Sequence, residues 1–150
     1  MDKEKIKEFS MRISQSNRTQ IVVITYEIII NYLDSGKVCL DNNNVTEFVF
    51  NIKKARQFVN QLSSALDFRY NISYELMSLY MFANECLVKS EVKREDVNLD
   101  TVRNMMVKLK EAFEKVSEQD KSGMAIQGGE KVYAGLTYGK NAKGTVVVSK

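Results

Sequence analysis

The chain has 150 residues, of which 44% are hydrophobic and 27% charged, with a formal net charge of +3. This composition predicts a single soluble domain that is large enough to bury a core. No run of 18 apolar residues occurs, and charges of both signs alternate over the first ten residues, so neither a membrane span nor a secretory signal is predicted. We therefore expect a cytoplasmic protein.

The first elements in chain order are a short amphipathic lead and a long apolar segment. The lead contains Ile6, Phe9 and Ile13 at helical spacing, and we expect it to be only partly ordered. The segment from about Thr19 to Leu40 includes IVVITYEIII, whose β-branched residues favour a strand. Its apolar positions nevertheless recur at steps of three and four without a turn signal, and we predict a helix.

Three further helices follow. Asn44 and Glu47 resemble a capping box, and the apolar stripe that begins there extends to Leu66. The next helix is predicted from about Ser73 to Glu91, with Asn71 and Ser73 as candidate caps, and the last begins near Asn98 or Asp100 and extends to about Val116. Because the connections are short and proline is absent, we predict an all-α fold, an antiparallel up-and-down bundle of four long helices plus a short N-terminal helix.

Composition changes after Ser122, where six of the seven glycines occur. We therefore divide the chain into a helical domain at 1–120 and a glycine-rich tail at 121–150, which is predicted as a flexible tail or as a β-hairpin with strands at 131–139 and 144–149. Residues 1–120 carry 17 basic and 18 acidic side chains, whereas 121–150 carry five and one. The tail could serve as a lid on the bundle, or as an element that joins two copies into a homodimer.

The sequence offers little for catalysis or metal binding. It contains no histidine, and its two cysteines, Cys39 and Cys86, are predicted to be reduced and half-buried. It also lacks phosphate-binding glycine loops and nucleophile elbows. We predict no enzyme activity, no catalytic residues, no metal site and no cofactor.

Five short motifs occur in a fixed order along the four predicted helices: Ile24-Thr25-Tyr26-Glu27, Lys54-Ala55, Ala65-Leu66-Asp67, Leu79-Tyr80-Met81-Phe82 and Glu111-Ala112-Phe113. In this order and spacing the chain resembles the flagellar export chaperone family FliS from about Ser14 to Val116. The family usually begins this region with a Ser-Pro or Thr-Pro helix start, but Arg18-Thr19 is not followed by proline. The family's N-terminal tyrosine pair is also missing, and the glycine-rich tail is not part of its usual pattern.

The resemblance implies a chaperone that holds the C-terminal region of flagellin before secretion, with a co-chaperone or a component of the export gate as further partners. Such a protein needs apolar side chains that its own core does not use. Our candidate partner-binding residues are those off the main stripes: Val22, Val23, Tyr26, Ile29, Phe50, Phe58, Met77 and Met81.

Two alternatives remain open. The same bundle could bind another secreted protein or a co-chaperone, because the proline and the tyrosine pair are missing. Less favoured is binding of nucleic acid or another anionic surface through the lysines of the tail, with Tyr133 and Tyr138 interleaved among them.

Overall fold

The computed structural model describes residues 1–125, and the predicted β-hairpin lies outside this range. The described residues form five helices and no strand, which confirms the all-α prediction. The helices are α1 (Lys3–Ser14), α2 (Arg18–Asp41), α3 (Val45–Ser64), α4 (Ile72–Lys93) and α5 (Leu99–Gln119).

The first two segments of the chain are both helical. The segment with strand-like composition is one continuous helix of 24 residues, α2. The N-terminal lead is better ordered than we expected, because α1 is helical for 12 residues. Its first turn is capped by Asp2, whose Oδ1 accepts the Lys5 backbone N–H at 2.8 Å, and its Phe9 and Ile13 side chains are buried.

The described residues form two compact units, and the first consists of Met1–Ile28 together with the described residues from Val107 onward. In this unit Tyr26 of α2 packs against Phe113 of α5, with ring centroids 5.7 Å apart. The Thr19 hydroxyl, near the start of α2, donates a hydrogen bond to Asp120, just after the end of α5. Residue numbers therefore rise along α2 as they fall along α5, and the two helix segments are antiparallel.

The second unit, Ile29–Met106, contains α3 and α4 with the adjoining parts of α2 and α5. Its core includes large side chains that are almost fully buried: Tyr32, Phe48, Ile52, Val59, Tyr80, Leu87, Val102 and Met106. Ion pairs link the helices of this unit: Arg103 of α5 pairs with Asp34 of α2 at 2.6 Å, and Arg56 of α3 pairs with Glu91 of α4 at 3.2 Å. The Arg103–Asp34 pair is accessible to solvent and contributes little, so burial of the apolar side chains is the main stabilising term.

The predicted cap at the start of α3 is present. Asn44 Oδ1 accepts the backbone N–H of Glu47 at 3.2 Å, which satisfies one of the amides that a helix leaves unpaired at its start.

We expect Asn44→Ala to lower the free energy of unfolding by about 1 kcal/mol, because the Glu47 amide loses its partner. Urea denaturation followed by circular dichroism measures this change. The control is Asn42→Ala, two residues earlier in the same exposed turn, for which we expect a change below about 0.5 kcal/mol. Equal losses in the two variants would show that the Asn44 side chain is not a cap.

Candidate partner-binding surface on α4

The corner between α3 and α4 is held by Asp67. Its carboxylate accepts the backbone N–H of Arg69 at 3.0 Å and the Arg69 Nε–H at 2.9 Å, while its carbonyl oxygen accepts the Ser73 hydroxyl at 2.6 Å. The neighbouring carboxylate also raises the pKa of the Arg69 guanidinium. Asn71, predicted as a cap, makes no capping bond through its side chain, because its backbone is already helical. The expected role of Asn71 is therefore wrong, and Asp67 with Ser73 fixes the corner.

The outer face of α4 carries an exposed row of side chains, which we call the α4 strip: Tyr74, Ser78, Met81, Phe82 and Glu85. Tyr74 and Ser78, Ser78 and Met81 or Phe82, and each of these two and Glu85 are three or four residues apart, so the five side chains share one face of the helix. Tyr74 is 60% exposed, Met81 65% and Phe82 40%. Core residues such as Leu76, Tyr80 and Leu87 lie on the opposite face, where they are buried. Helix α4 is therefore apolar on two faces, only one of which the core uses.

Aromatic residues of the corner extend the apolar surface beyond the start of α4. The Phe68 ring lies against Tyr74, with centroids 5.1 Å apart and planes at 59°. Phe68 is 43% exposed and Tyr70 63%, so neither is consumed by the core. Contiguous exposed apolar groups are uncommon on a monomeric protein and are typical of interaction surfaces.

A shallow hollow lies along the strip and is lined by Ser78, Met81, Phe82, Asn84 and Glu85. Asn84 Oδ1 is buried there and accepts no hydrogen bond from residues 1–125. At the hollow's edge Glu85 is paired with Lys89 at 2.9 Å, which partly neutralises its charge.

The α4 strip offers packing contacts for a partner helix but no evident catalytic group. A partner helix presents side chains at intervals of three, four and seven residues, which matches the spacing of the strip. The flexible Met81 side chain can adapt to different contacts. Within residues 1–125, no cluster of three or more His, Cys, Asp or Glu side chains could hold a metal ion. The helices of the described part are each too short or too polar to cross a membrane.

The structure divides the eight predicted partner-binding residues into three groups. Val23, Tyr26, Ile29 and Phe58 are buried, Val22 and Met77 are half-buried, and Phe50 and Met81 are exposed. Of the two aromatic residues on α3, Phe50 faces solvent with the Lys54 ammonium 5.8 Å from its ring centroid, whereas Phe58 stacks on Tyr32. Burial lowers the pKa of Lys54. Only Met77 and Met81 lie on α4.

Our prediction omitted Tyr74 and Phe82, although the sequence contains the signal that identifies them. They are eight residues apart on one helix, with Met81 beside Phe82, and all three are outside the core stripe of α4. An aromatic residue on the face opposite a complete core stripe is a better indicator of exposure than one on the flank of the stripe.

These features define a class: an all-helical protein with an exposed apolar helix surface of the kind that is typical of interaction sites. The sequence matches the family model of flagellar protein FliS over residues 3–120, a range that includes all five helices. The chain therefore belongs to the FliS family, which is a family of flagellar export chaperones and not of enzymes. No curated protein matches the sequence significantly.

Proposed function

We propose that this FliS-family protein is a cytoplasmic chaperone for flagellin. It binds the disordered C-terminal region of flagellin, keeps it from polymerising and releases it for type III secretion through the flagellar export apparatus. Family membership supports the general role, and the exposure of the α4 strip supports the proposed location of the binding site.

Binding at the strip couples folding of the client to burial of its apolar side chains. A disordered segment that becomes helical on the strip covers Tyr74, Met81 and Phe82, and its apolar face is then unavailable for contacts between flagellin molecules. Ordering the segment costs free energy, which offsets part of the gain from burial. The complex therefore remains dissociable, as export requires, and no covalent step on the client is needed.

The test compares two methionines of equal exposure, Met81 on the strip at 65% and Met11 on α1 at 66%. We expect Met81→Glu to weaken binding of a C-terminal flagellin peptide from the same organism at least tenfold (about 1.4 kcal/mol), because a carboxylate is poorly solvated in an apolar contact. Met11→Glu is expected to leave the affinity unchanged. Titration calorimetry measures affinity, and circular dichroism measures the helix that the peptide gains.

Three results are informative. No heat of binding with the unmodified protein at micromolar concentrations would exclude flagellin as the client. Binding that Met81→Glu leaves unchanged would retain flagellin but exclude the α4 strip. Equal weakening by both substitutions would indicate an effect of charge on the whole protein, and would also exclude a specific role of the strip.

A further inference from the structure

The end of α5 is fastened to the corner between α1 and α2 by a set of hydrogen bonds. The Thr19 hydroxyl donates to Asp120 Oδ2 at 2.6 Å, and this bond, with those from Ser122, lowers the pKa of the Asp120 carboxyl. Asn17 Nδ2 donates to the carbonyl oxygens of Asp120 and Ser122 at 3.2 and 3.4 Å. The chain that leaves α5 is therefore directed along this corner.

The last described residue is also held at the corner. Ala125 is 2% exposed, and its backbone N–H donates to the carbonyl oxygen of Ser16 at 2.9 Å. The described part of the chain therefore ends next to Ser16.

Ser16 is itself part of the lining of an open groove in the first unit, with a volume of about 410 Å³. Residues of α1, α2 and α5 line it, including Val23 and Ile24 in its apolar part and three carboxylates, Glu27, Glu114 and Glu118.

The carboxylates at the groove outnumber the basic groups that face them. Glu27 is paired with Arg12 at 2.5 Å and lies 4.0 Å from Lys110, which is also 3.5 Å from Glu114. Glu118 is exposed and forms no ion pair within residues 1–125. Two basic groups thus face three carboxylates, and one carboxylate is left for a basic partner.

We propose that residues 126–150 bind in this groove within their own chain. The segment contains four lysines, Lys131, Lys140, Lys143 and Lys150, against a single acidic residue, Glu130. Its 25 residues can span up to about 80 Å, far more than the groove requires, so length does not limit access. Attachment at Ala125 gives the segment an effective concentration on the order of millimolar, which makes even weak electrostatic and apolar contacts sufficient. This interaction does not depend on flagellin being the client.

The experiment is photo-cross-linking in the full chain at low micromolar concentration. A benzophenone amino acid replaces Gln15, an exposed residue that lines the groove, or in the control Glu111, an exposed residue of α5 outside it. We expect mass spectrometry to find peptides of 126–150 linked to position 15 at least threefold more often than to position 111. Circular dichroism establishes that both labelled proteins are folded.

A charge reversal tests the electrostatic part. We expect Glu118→Lys to reduce the cross-links at position 15 at least threefold and Glu111→Lys to leave them unchanged, since only Glu118 lines the groove. The proposal is overturned if no peptide of 126–150 is linked at position 15, if the two positions give equal yields, or if Glu118→Lys has no effect. Links found only in dimer-sized bands would also overturn it, because the groove would then bind the segment of a second copy.

Discussion

Phe58→Ala is expected to lower the free energy of unfolding by about 3–5 kcal/mol, the range found when a buried phenylalanine is truncated. Phe58 is 4% exposed and stacks on Tyr32, with ring centroids 6.1 Å apart and planes at 20°. Burial at this position also raises the pKa of Tyr32 to about 12, as expected for a phenol removed from water. Truncation therefore leaves a cavity in the core of the second unit. Urea denaturation measures the loss.

Phe50→Ala is the matched control, because it removes the same side chain from the same helix. Phe50 is 49% exposed, and we expect its replacement to change the free energy of unfolding by less than about 1 kcal/mol. Both phenylalanines were predicted to bind a partner. The comparison therefore also shows which of the two belongs to the core and which to the surface. A loss at Phe58 no larger than that at Phe50 would contradict the assignment of Phe58 to the core.

The sequence was sufficient to predict the helices because their apolar periodicity is long. In α2 the local preference of the β-branched residues for strands was outweighed by about seven turns of uninterrupted helical spacing. The helix ends were less predictable, since a cap depends on the backbone conformation of the capping residue as well as on its type. Asn44 caps as predicted, whereas Asn71 has the right residue type but a helical backbone.

The candidate binding surface was harder to predict because a sequence does not reveal how many neighbours a helix has. Tyr26 is off the stripe of α2, yet Phe113 of α5 lies against it and the side chain is fully buried. Met81 is off the stripe of α4 and is 65% exposed. Both residues were predicted to bind a partner from their positions off the stripe, and the tertiary contacts show that the core uses Tyr26 but not Met81.

Gly36→Leu is expected to lower the free energy of unfolding by about 2–3 kcal/mol through overpacking. Gly36 is buried in α2, and a Cβ atom at this position would lie 3.4 Å from Ile52 Cδ1, 3.5 Å from Asn51 Cβ and 3.7 Å from Phe48 Cδ1. These contacts leave room for one methyl group but not for the rest of a leucine side chain. Glycine is costly inside a helix, so its presence here is explained by the close approach of α3.

Gly36→Ala separates the effect of side-chain volume from the effect of the backbone flexibility of glycine. Its single methyl group fits at the distances given, and alanine favours the helix by up to about 1 kcal/mol, so we expect unchanged or slightly increased stability. The double variant Gly36→Leu with Ile52→Ala tests the named contact, because removing the Ile52 side chain makes room for leucine. We expect its loss to be smaller than the sum of the two single losses by at least about 1 kcal/mol. Additive losses, or equal losses for leucine and alanine at position 36, would show that Ile52 does not set the space beside Gly36.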